Sequence, residues 1–139
     1  MTWLVVLLAA TGVHLGFQLA VTVLAYPALA AVPRGRWGPA HDAHSRRIAP
    51  LVGVVYAAVL VGCIGSLVSR PSYAVGLAVL GNAVALGLTA LAAAPIHARL
   101  GRGHDAALVR RLLRVDRGRT TAAAIALVGA VGAVATAVP

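Results

Sequence analysis

The sequence is poor in charged residues of every kind except arginine. Its 139 residues contain three acidic residues, all aspartate, and twelve basic residues, all arginine, for a formal net charge of +9. Charged residues make up 11% of the chain and hydrophobic residues 60%. A soluble domain of this length needs far more polar surface. This scarcity excludes a soluble globular domain and makes lipid the expected solvent.

Cysteine is almost absent too. Cys63 is the only cysteine, which excludes an intrachain disulfide, and we expect it to pack as a small apolar residue. No basic segment precedes the first apolar run, and that run is longer than the apolar core of a signal peptide. We therefore expect the N-terminal run to remain as a membrane span rather than to be cleaved.

Four apolar runs are long enough to cross a hydrocarbon core of ~30 Å. They cover residues 3–31, 48–68, 73–94 and 120–138. In lipid each run must be helical, because an unpaired backbone polar group there is strongly unfavourable. The sequence therefore predicts an all-α protein, a four-helix transmembrane bundle that forms a single domain over residues 1–139.

The arginines predict how this bundle is oriented. Four of them lie between the first and second runs, seven between the third and fourth, and only Arg70 between the second and third. Because basic loops are retained on the cytoplasmic side, we expect a multi-pass protein of the plasma (inner) membrane with both termini outside. Trp3 and Tyr73 would then mark the outer boundary, and Tyr26 and Trp37 the inner one.

The two basic inner loops are expected to carry short helical extensions. Pro39 suits the first turn of a helix that leads into the second span. Asp105 suits the N-cap of an amphipathic helix that continues into the fourth span. Pro27 and Pro95, near the inner ends of the first and third spans, are expected to stop or kink those helices, which makes the chain resemble two related hairpins.

Small residues four positions apart occur in every span and allow helices to approach closely. The pairs are Gly12 and Gly16, Gly53 and Ala57, Gly81 and Ala85, and Gly129 and Ala133. We interpret them chiefly as packing positions within the chain, and leave a homo-oligomer open.

His14 is a polar residue near the middle of the first span, and Gln18 follows it on the same helix face. Polar groups inside a span usually face the bundle interior or a wet cavity and are often functional. His14 is therefore a catalytic candidate. The alternative is that His14 and Gln18 tie helices together, through Tyr56 or Asn82.

His41 and His44 are spaced so that both imidazoles can face one ion from a single helix. Imidazole ligands suit a transition metal such as copper, iron or zinc, and His97 and His104 of the other inner loop lie near enough in the predicted topology to assist. The alternative is that these histidines are interfacial residues of a basic loop.

Two segments of the second inner loop resemble a known family. PIHARL at residues 95–100 and LLRVDRGRT at residues 112–120 are similar to the anthrone oxygenase-like family of small four-helix integral membrane proteins, whose pattern is Pro-x-Asn-x-x-Leu followed by Asn-x-x-Arg-Thr. His97 and Asp116 stand where that pattern has asparagine, whereas Pro95, Leu100, Arg119 and Thr120 match it. YPAL at residues 26–29 is similar more loosely.

The resemblance implies oxidation of a reduced aromatic polyketide by dioxygen near the membrane surface. Such a reaction needs a base that removes an acidic C–H proton and a cation that stabilises the resulting anion. His97, whose unperturbed pKa lies near neutrality, is the candidate for the first role, and the cationic Arg119 is the candidate for the second. Asp116 would shape this site, or else only balance the charge of the neighbouring arginines.

Two other classes of function stay open. An accessory protein would bind anionic lipid, or a larger membrane complex, through the arginine-rich loops. A small transporter would need a polar path across the bilayer, for which the spans offer His14, Gln18 and Asn82 but no acidic residue. In all three cases the partners are the lipid bilayer and, for the enzyme, a lipophilic small molecule. Nucleic acid is excluded, because the arginines lie between apolar runs and not along a soluble face.

Overall fold

A computed structural model describes residues 1–137, and these residues form an all-helical bundle. In chain order its elements are α1 (Thr2–Ala20), a π-helical turn (Val21–Ala25), α2 (Tyr26–Ala30), a 3₁₀ turn (Arg34–Arg36), α3 (Trp37–Ser69), α4 (Tyr73–Leu88), a second π-helical turn (Thr89–Ala93), α5 (Ala94–Leu100) and α6 (Ala106–Ala135). Val138, the last residue of the expected fourth span, lies outside the described residues.

Four helical stretches in this bundle are long and apolar enough to cross a membrane. They are Thr2–Ala30, Arg34–Ser69, Tyr73–Leu100 and Ala106–Ala135. Large apolar side chains project from them, including Val68 and Leu91, which are 81% and 83% exposed. Such a surface suits contact with acyl chains. The prediction of an all-α protein with four apolar helices is confirmed.

The two arginine-bearing segments meet at one end of the bundle. His41 Nε2 lies 3.3 Å from His97 Nδ1, and the Trp37 indole N–H donates to the carbonyl of Leu100 at 2.9 Å. We call this the arginine-rich end, formed by residues 31–47 and 97–117. At the other end, the Ser66 hydroxyl donates to the backbone carbonyl of Trp3 at 2.9 Å.

The first and third helical stretches do not stop at their prolines. Each continues for several residues beyond Pro27 or Pro95, so of the two expected effects, a stop or a kink, the stop is wrong. A proline lacks an N–H and crowds the carbonyl four residues earlier. Here a π-helical turn precedes each proline, and the backbone N–H of the preceding residue donates to the carbonyl five residues back, from Tyr26 to Val21 and from Ala94 to Thr89. The wider turn accommodates the proline and keeps the helix going.

Both predicted helical extensions are present. Helix α3 begins at Trp37 with Pro39 in its first turn, and α6 begins directly after Asp105. The Asp105 carboxylate accepts hydrogen bonds from the backbone amides of Ala107 at 2.8 Å and Leu108 at 3.1 Å. These amide donors, with Leu108 the stronger contributor, lower the pKa of the Asp105 carboxyl. The predicted N-cap is therefore confirmed.

Glycines on α4 and α6 allow these two helices to pack at backbone contact. A Cβ atom on Gly81 would lie 2.7 Å from the carbonyl oxygen of Ala122, and one on Gly129 would lie 2.5 Å from the amide nitrogen of Ala78. Packing within the chain is thus confirmed for these positions. The expectation of packing within the chain is wrong for Gly12, Gly16 and Gly53, where an added Cβ would meet no heavy atom within 4 Å.

Candidate functional site

The arginines divide sharply by burial. All twelve lie within residues 1–137; eleven are exposed, whereas Arg119 is only 3% exposed. Helix α6 carries Arg119 on the same face as Leu112, Asp116 and Ala123, which are also buried. A guanidinium held inside an apolar bundle must be satisfied by hydrogen bonds and by a nearby negative charge.

Four side chains around Arg119 meet that need. Its Nη2 donates to Gln18 Oε1 at 2.9 Å and to the Tyr56 hydroxyl at 3.3 Å. Its Nη1 donates to the Tyr26 hydroxyl at 3.4 Å and to Asp116 Oδ1 at 3.5 Å. The remaining nitrogen, Nε, has no hydrogen-bond partner within residues 1–137. The guanidinium is therefore held in place while one of its N–H donors stays free.

Asp116 is the anionic partner of Arg119. The carboxylate is 1% exposed, and its Oδ2 accepts a hydrogen bond from the Thr22 hydroxyl at 2.6 Å. Asp116 forms an ion pair with Arg119. It does not line the apolar cavity that lies beside this network. Its place favours the charge-balancing interpretation, in which it neutralises and orients the guanidinium.

His97 and Tyr26 continue the polar network toward the arginine-rich end. The Tyr26 hydroxyl lies 3.0 Å from His97 Nε2, and His97 Nδ1 lies 3.3 Å from His41 Nε2. Because Arg119 donates to the Tyr26 oxygen, the Tyr26 hydrogen is free to donate to His97. That order makes Nε2 of the neutral imidazole the acceptor and assigns its one ring proton to Nδ1, which donates to His41 Nε2. Both ring nitrogens of His97 are therefore already engaged.

An apolar cavity of about 280 Å³ lies against this network. Its polar lining comes from Tyr26, Ser45, Thr89, His97 and Arg119, and the other lining residues are alanine, valine, isoleucine and phenylalanine. Small-molecule pockets of ~300–1,000 Å³ are typically apolar with a few convergent polar groups. The cavity has this character at a volume just below that size range, which suits a compact, lipophilic molecule with one polar edge.

A lateral groove of about 720 Å³ adjoins the cavity and shares Phe17, Val21 and Ile48 with it. The groove runs between the α1–α2 stretch and α3, and its rim includes Leu24 and Leu51, which are 67% and 56% exposed. In a bilayer these residues would face acyl chains. The cavity is thus next to a route from the lipid phase.

His14 lies away from the cavity, deeper among the helices. It is fully buried, and its Nδ1 lies 2.9 Å from the side-chain oxygen of Asn82. The His14 ring also meets the Tyr56 ring edge to face, with 5.3 Å between centroids. Asn82 in turn donates to the Thr11 hydroxyl at 3.1 Å. These contacts match the expectation that His14 ties helices together, and the cavity does not include the ring.

The histidines of the arginine-rich end lie close to one another. The His44 and His97 rings stack at 5.8 Å, and the His41 ring stacks on Trp37 at 5.6 Å. His41 Nε2 lies within hydrogen-bond distance of His97 Nδ1, at 3.3 Å. Within residues 1–137, no group of three or more histidine, cysteine or acidic side chains is arranged to hold a metal. The structure therefore adds no third ligand to the predicted pair His41 and His44, and His104 lies edge-on to Trp37 at 4.8 Å.

Two tyrosines in the site were not among the predicted site residues. Tyr26, expected at the inner membrane boundary, is 4% exposed and points into the bundle, and Trp37 is likewise buried at 2%. Tyr56 was expected only as a partner for His14. The one sequence signal for Tyr26 was the YPAL segment, where tyrosine directly precedes the proline of the first stretch.

Comparisons with known proteins give no further guide. No protein-family model matches the chain, no curated protein matches it, and no solved structure matches it. Function must therefore be inferred from the geometry of the site.

Proposed function

We propose that this protein is an oxygenase-like oxidoreductase that acts on a lipophilic aromatic substrate at the cytoplasmic face of the plasma membrane, with both termini outside. The observation that supports the proposal is the apolar cavity beside the bundle's buried cation, with Tyr26, His97 and Arg119 converging on its polar side. Apolar walls suit a fused aromatic ring system. The polar side suits a substrate carbonyl that becomes negatively charged during the reaction.

The proposed reaction converts a ring methylene flanked by aromatic rings, as in an anthrone, into a carbonyl. Dioxygen is the co-reactant. One oxygen atom becomes the new carbonyl oxygen, and the other leaves as water with the two methylene hydrogens. The substrate supplies all the electrons, so the balance requires no separate reductant. The first step is transfer of a methylene proton to the His97 imidazole or to a side chain hydrogen-bonded to it. The substrate is left as an anion whose charge is delocalised onto the existing carbonyl oxygen.

Arg119 is suited to stabilise that anion. Its positive charge is balanced by Asp116 in the resting site, and its side chain lines the cavity in which an oxygen would gain charge. Fixed donors aimed at developing charge are most effective where water is excluded, because the low dielectric strengthens the interaction. The burial of Arg119 provides that condition.

Turnover of unsubstituted anthrone by protein purified into lipid nanodiscs tests this proposal. We expect quinone formation above that of empty nanodiscs, with one dioxygen consumed per quinone formed. His97→Ala should lower the rate ~10²-fold, because general acid–base groups typically contribute ~10²–10⁴-fold. His104→Ala is the matched control, since that histidine belongs to the same end of the bundle but does not line the cavity. Absorbance of the quinone and an oxygen electrode give the two rates.

The same experiment addresses the alternative of a non-catalytic accessory protein. The observation in its favour is the set of eleven exposed arginines, most of them at the arginine-rich end, which suits anionic lipid headgroups. A protein that produces no quinone above the empty-nanodisc rate would refute the oxygenase proposal and favour the accessory function. Equal rates for wild type and His97→Ala would remove His97 from the reaction.

The proposed orientation predicts which residues an impermeant maleimide reaches in intact cells. In a Cys63→Ala background, Tyr73→Cys should be labelled, whereas Arg36→Cys and Arg111→Cys should be labelled only after the cells are opened. The physical reason is the retention of arginine-rich segments on the cytoplasmic side. Labelling of Arg36→Cys in intact cells would reverse the proposed orientation.

A further inference from the structure

We propose that Tyr26 is the catalytic residue that receives the substrate proton, and that His97 and His41 pass the charge on toward the arginine-rich end. This inference rests on the proposed function and assigns its proton-transfer step to a specific atom, the phenolic oxygen of Tyr26.

The position of the Tyr26 hydroxyl carries the inference. Tyr26 lines the cavity, and its oxygen lies between Arg119 Nη1 at 3.4 Å and His97 Nε2 at 3.0 Å. His97 has both ring nitrogens occupied, one by Tyr26 and one by His41. A substrate that gave its proton directly to His97 would have to break one of those hydrogen bonds. Transfer through the tyrosine oxygen requires no such break.

The two neighbours of Tyr26 supply what a phenol needs to act as a base. A free phenol holds its proton at neutral pH, so it removes a C–H proton only if its own proton leaves at the same time. His97 Nε2 is placed to accept that proton, and the Arg119 guanidinium is placed to stabilise negative charge on the tyrosine oxygen. The arrangement follows the general logic of a nucleophile or base oriented by a second group behind it.

The proton movements balance along the hydrogen-bond chain. The methylene C–H bond breaks and its proton bonds to the Tyr26 oxygen, while the original phenolic proton moves to His97 Nε2. The Nδ1 proton of His97 moves to His41 Nε2, which leaves a negative substrate near Arg119 and a positive imidazole at His41. His41 holds the proton at this stage, and its other nitrogen, Nδ1, is buried and has no hydrogen-bond partner within residues 1–137.

Tyr56 offers a matched control for Tyr26. Both hydroxyls accept a hydrogen bond from Arg119, at 3.3 Å for Tyr56 and 3.4 Å for Tyr26. The Tyr56 hydroxyl pairs with the Thr89 hydroxyl, not with a histidine. Replacing either tyrosine by phenylalanine therefore removes the same kind of support from Arg119, but only Tyr26→Phe interrupts the path to His97.

The test is anaerobic hydrogen exchange of anthrone deuterated at its methylene carbon, with the protein in lipid nanodiscs and exchange followed by mass spectrometry. Exchange isolates proton removal from the reaction with dioxygen. We expect Tyr26→Phe to slow exchange ~10²-fold and His97→Gln to slow it to a similar extent, whereas Tyr56→Phe should slow it far less. Gel filtration and thermal unfolding check that each variant is folded.

A more acidic phenol at the same position provides a second measurement that does not depend on Tyr26→Phe folding. With 3-chlorotyrosine incorporated at position 26, the pH profile of exchange should move to lower pH. The same substitution at position 56 should leave the profile in place. An unmoved profile at position 26 would overturn the inference.

The outcomes separate this inference from the proposed function. If Tyr26→Phe exchanges at the wild-type rate while His97→Gln is slow, His97 takes the proton directly and only the role of Tyr26 is refuted. If exchange depends on Tyr26 but no dioxygen is consumed in air, the role of Tyr26 stands and the oxidation is refuted. If the wild-type protein neither exchanges nor oxidises anthrone, both the role of Tyr26 and the proposed oxidation are refuted.

Discussion

Arg119→Lys should lower the rate of the proposed anthrone oxidation by ~10²–10³-fold, the effect of removing a donor that stabilises a developing anion. Lysine keeps the positive charge but lacks the planar fork of the guanidinium. That fork reaches Gln18 and Tyr56 through Nη2, and Tyr26 and Asp116 through Nη1, while Nε remains free. A single ammonium group cannot hold these positions and also face the substrate.

The kinetic constants show which part of the function is lost. Because the anion forms only during the reaction, we expect the loss in kcat, with KM changed little. Arg117→Lys is the matched control, since Arg117 lies on the same helix two residues earlier and is exposed. A rate for Arg119→Lys within about threefold of wild type would remove Arg119 from anion stabilisation.

A stability measurement distinguishes loss of chemistry from loss of structure. Arg119→Lys keeps a cation near Asp116, so we expect a small change in the free energy of unfolding. Arg119→Met instead leaves the buried Asp116 carboxylate without its ion-pair partner, and breaking a buried pair in this way costs about 3–5 kcal/mol. A folded Arg119→Lys protein with little activity, together with an unstable Arg119→Met protein, would show that the Arg119 side chain both stabilises the anion and holds the structure through Asp116.

The burial of Arg119 shows how far the sequence could predict the site. In the sequence Arg119 is one of several arginines that precede the fourth apolar run, and composition does not distinguish it from Arg114 or Arg117. The helical repeat distinguishes Arg119, because it shares a face with Leu112 and Asp116, whereas Arg114 and Arg117 lie on other faces. The resemblance to the anthrone oxygenase-like pattern selected the same residue independently. The tyrosine partners of Arg119 could not be predicted, because they come from other helices and their contacts depend on how those helices pack.

The π-helical turns mark a second limit. Apolar length and arginine placement were sufficient to predict four spans and to bring the two basic segments to one end. Those signals extend over many residues, so local errors do not change them. Whether Pro27 ends a helix or is accommodated by a wider turn is decided by one backbone hydrogen bond. Tyr26 donates that bond through its backbone and lines the cavity with its side chain, so a local feature that sequence patterns do not show lies at a residue of the site.

Gly129→Ala should destabilise the bundle by ~1–3 kcal/mol, the usual range for overpacking, and near the upper end of it. The added Cβ would lie 2.5 Å from the amide nitrogen of Ala78 and 2.9 Å from the carbonyl oxygen of Ala74. These are backbone atoms of α4, so relief requires the whole helix to move away from α6. The free energy of unfolding, measured in mixed micelles by tryptophan fluorescence, gives the size of the effect.

Gly132→Ala, three residues further along α6, provides a control of opposite sign. There the added Cβ would meet only the Ala74 Cβ at 3.7 Å, an ordinary van der Waals contact. Because alanine is favoured over glycine in a helix by about 1 kcal/mol, this change should be neutral or slightly stabilising. The same chemical change thus separates helix propensity from helix contact. Equal effects at the two positions would mean that α4 and α6 are not packed at backbone contact, and Arg119, carried by α6, would then lack the rigid support that its network requires.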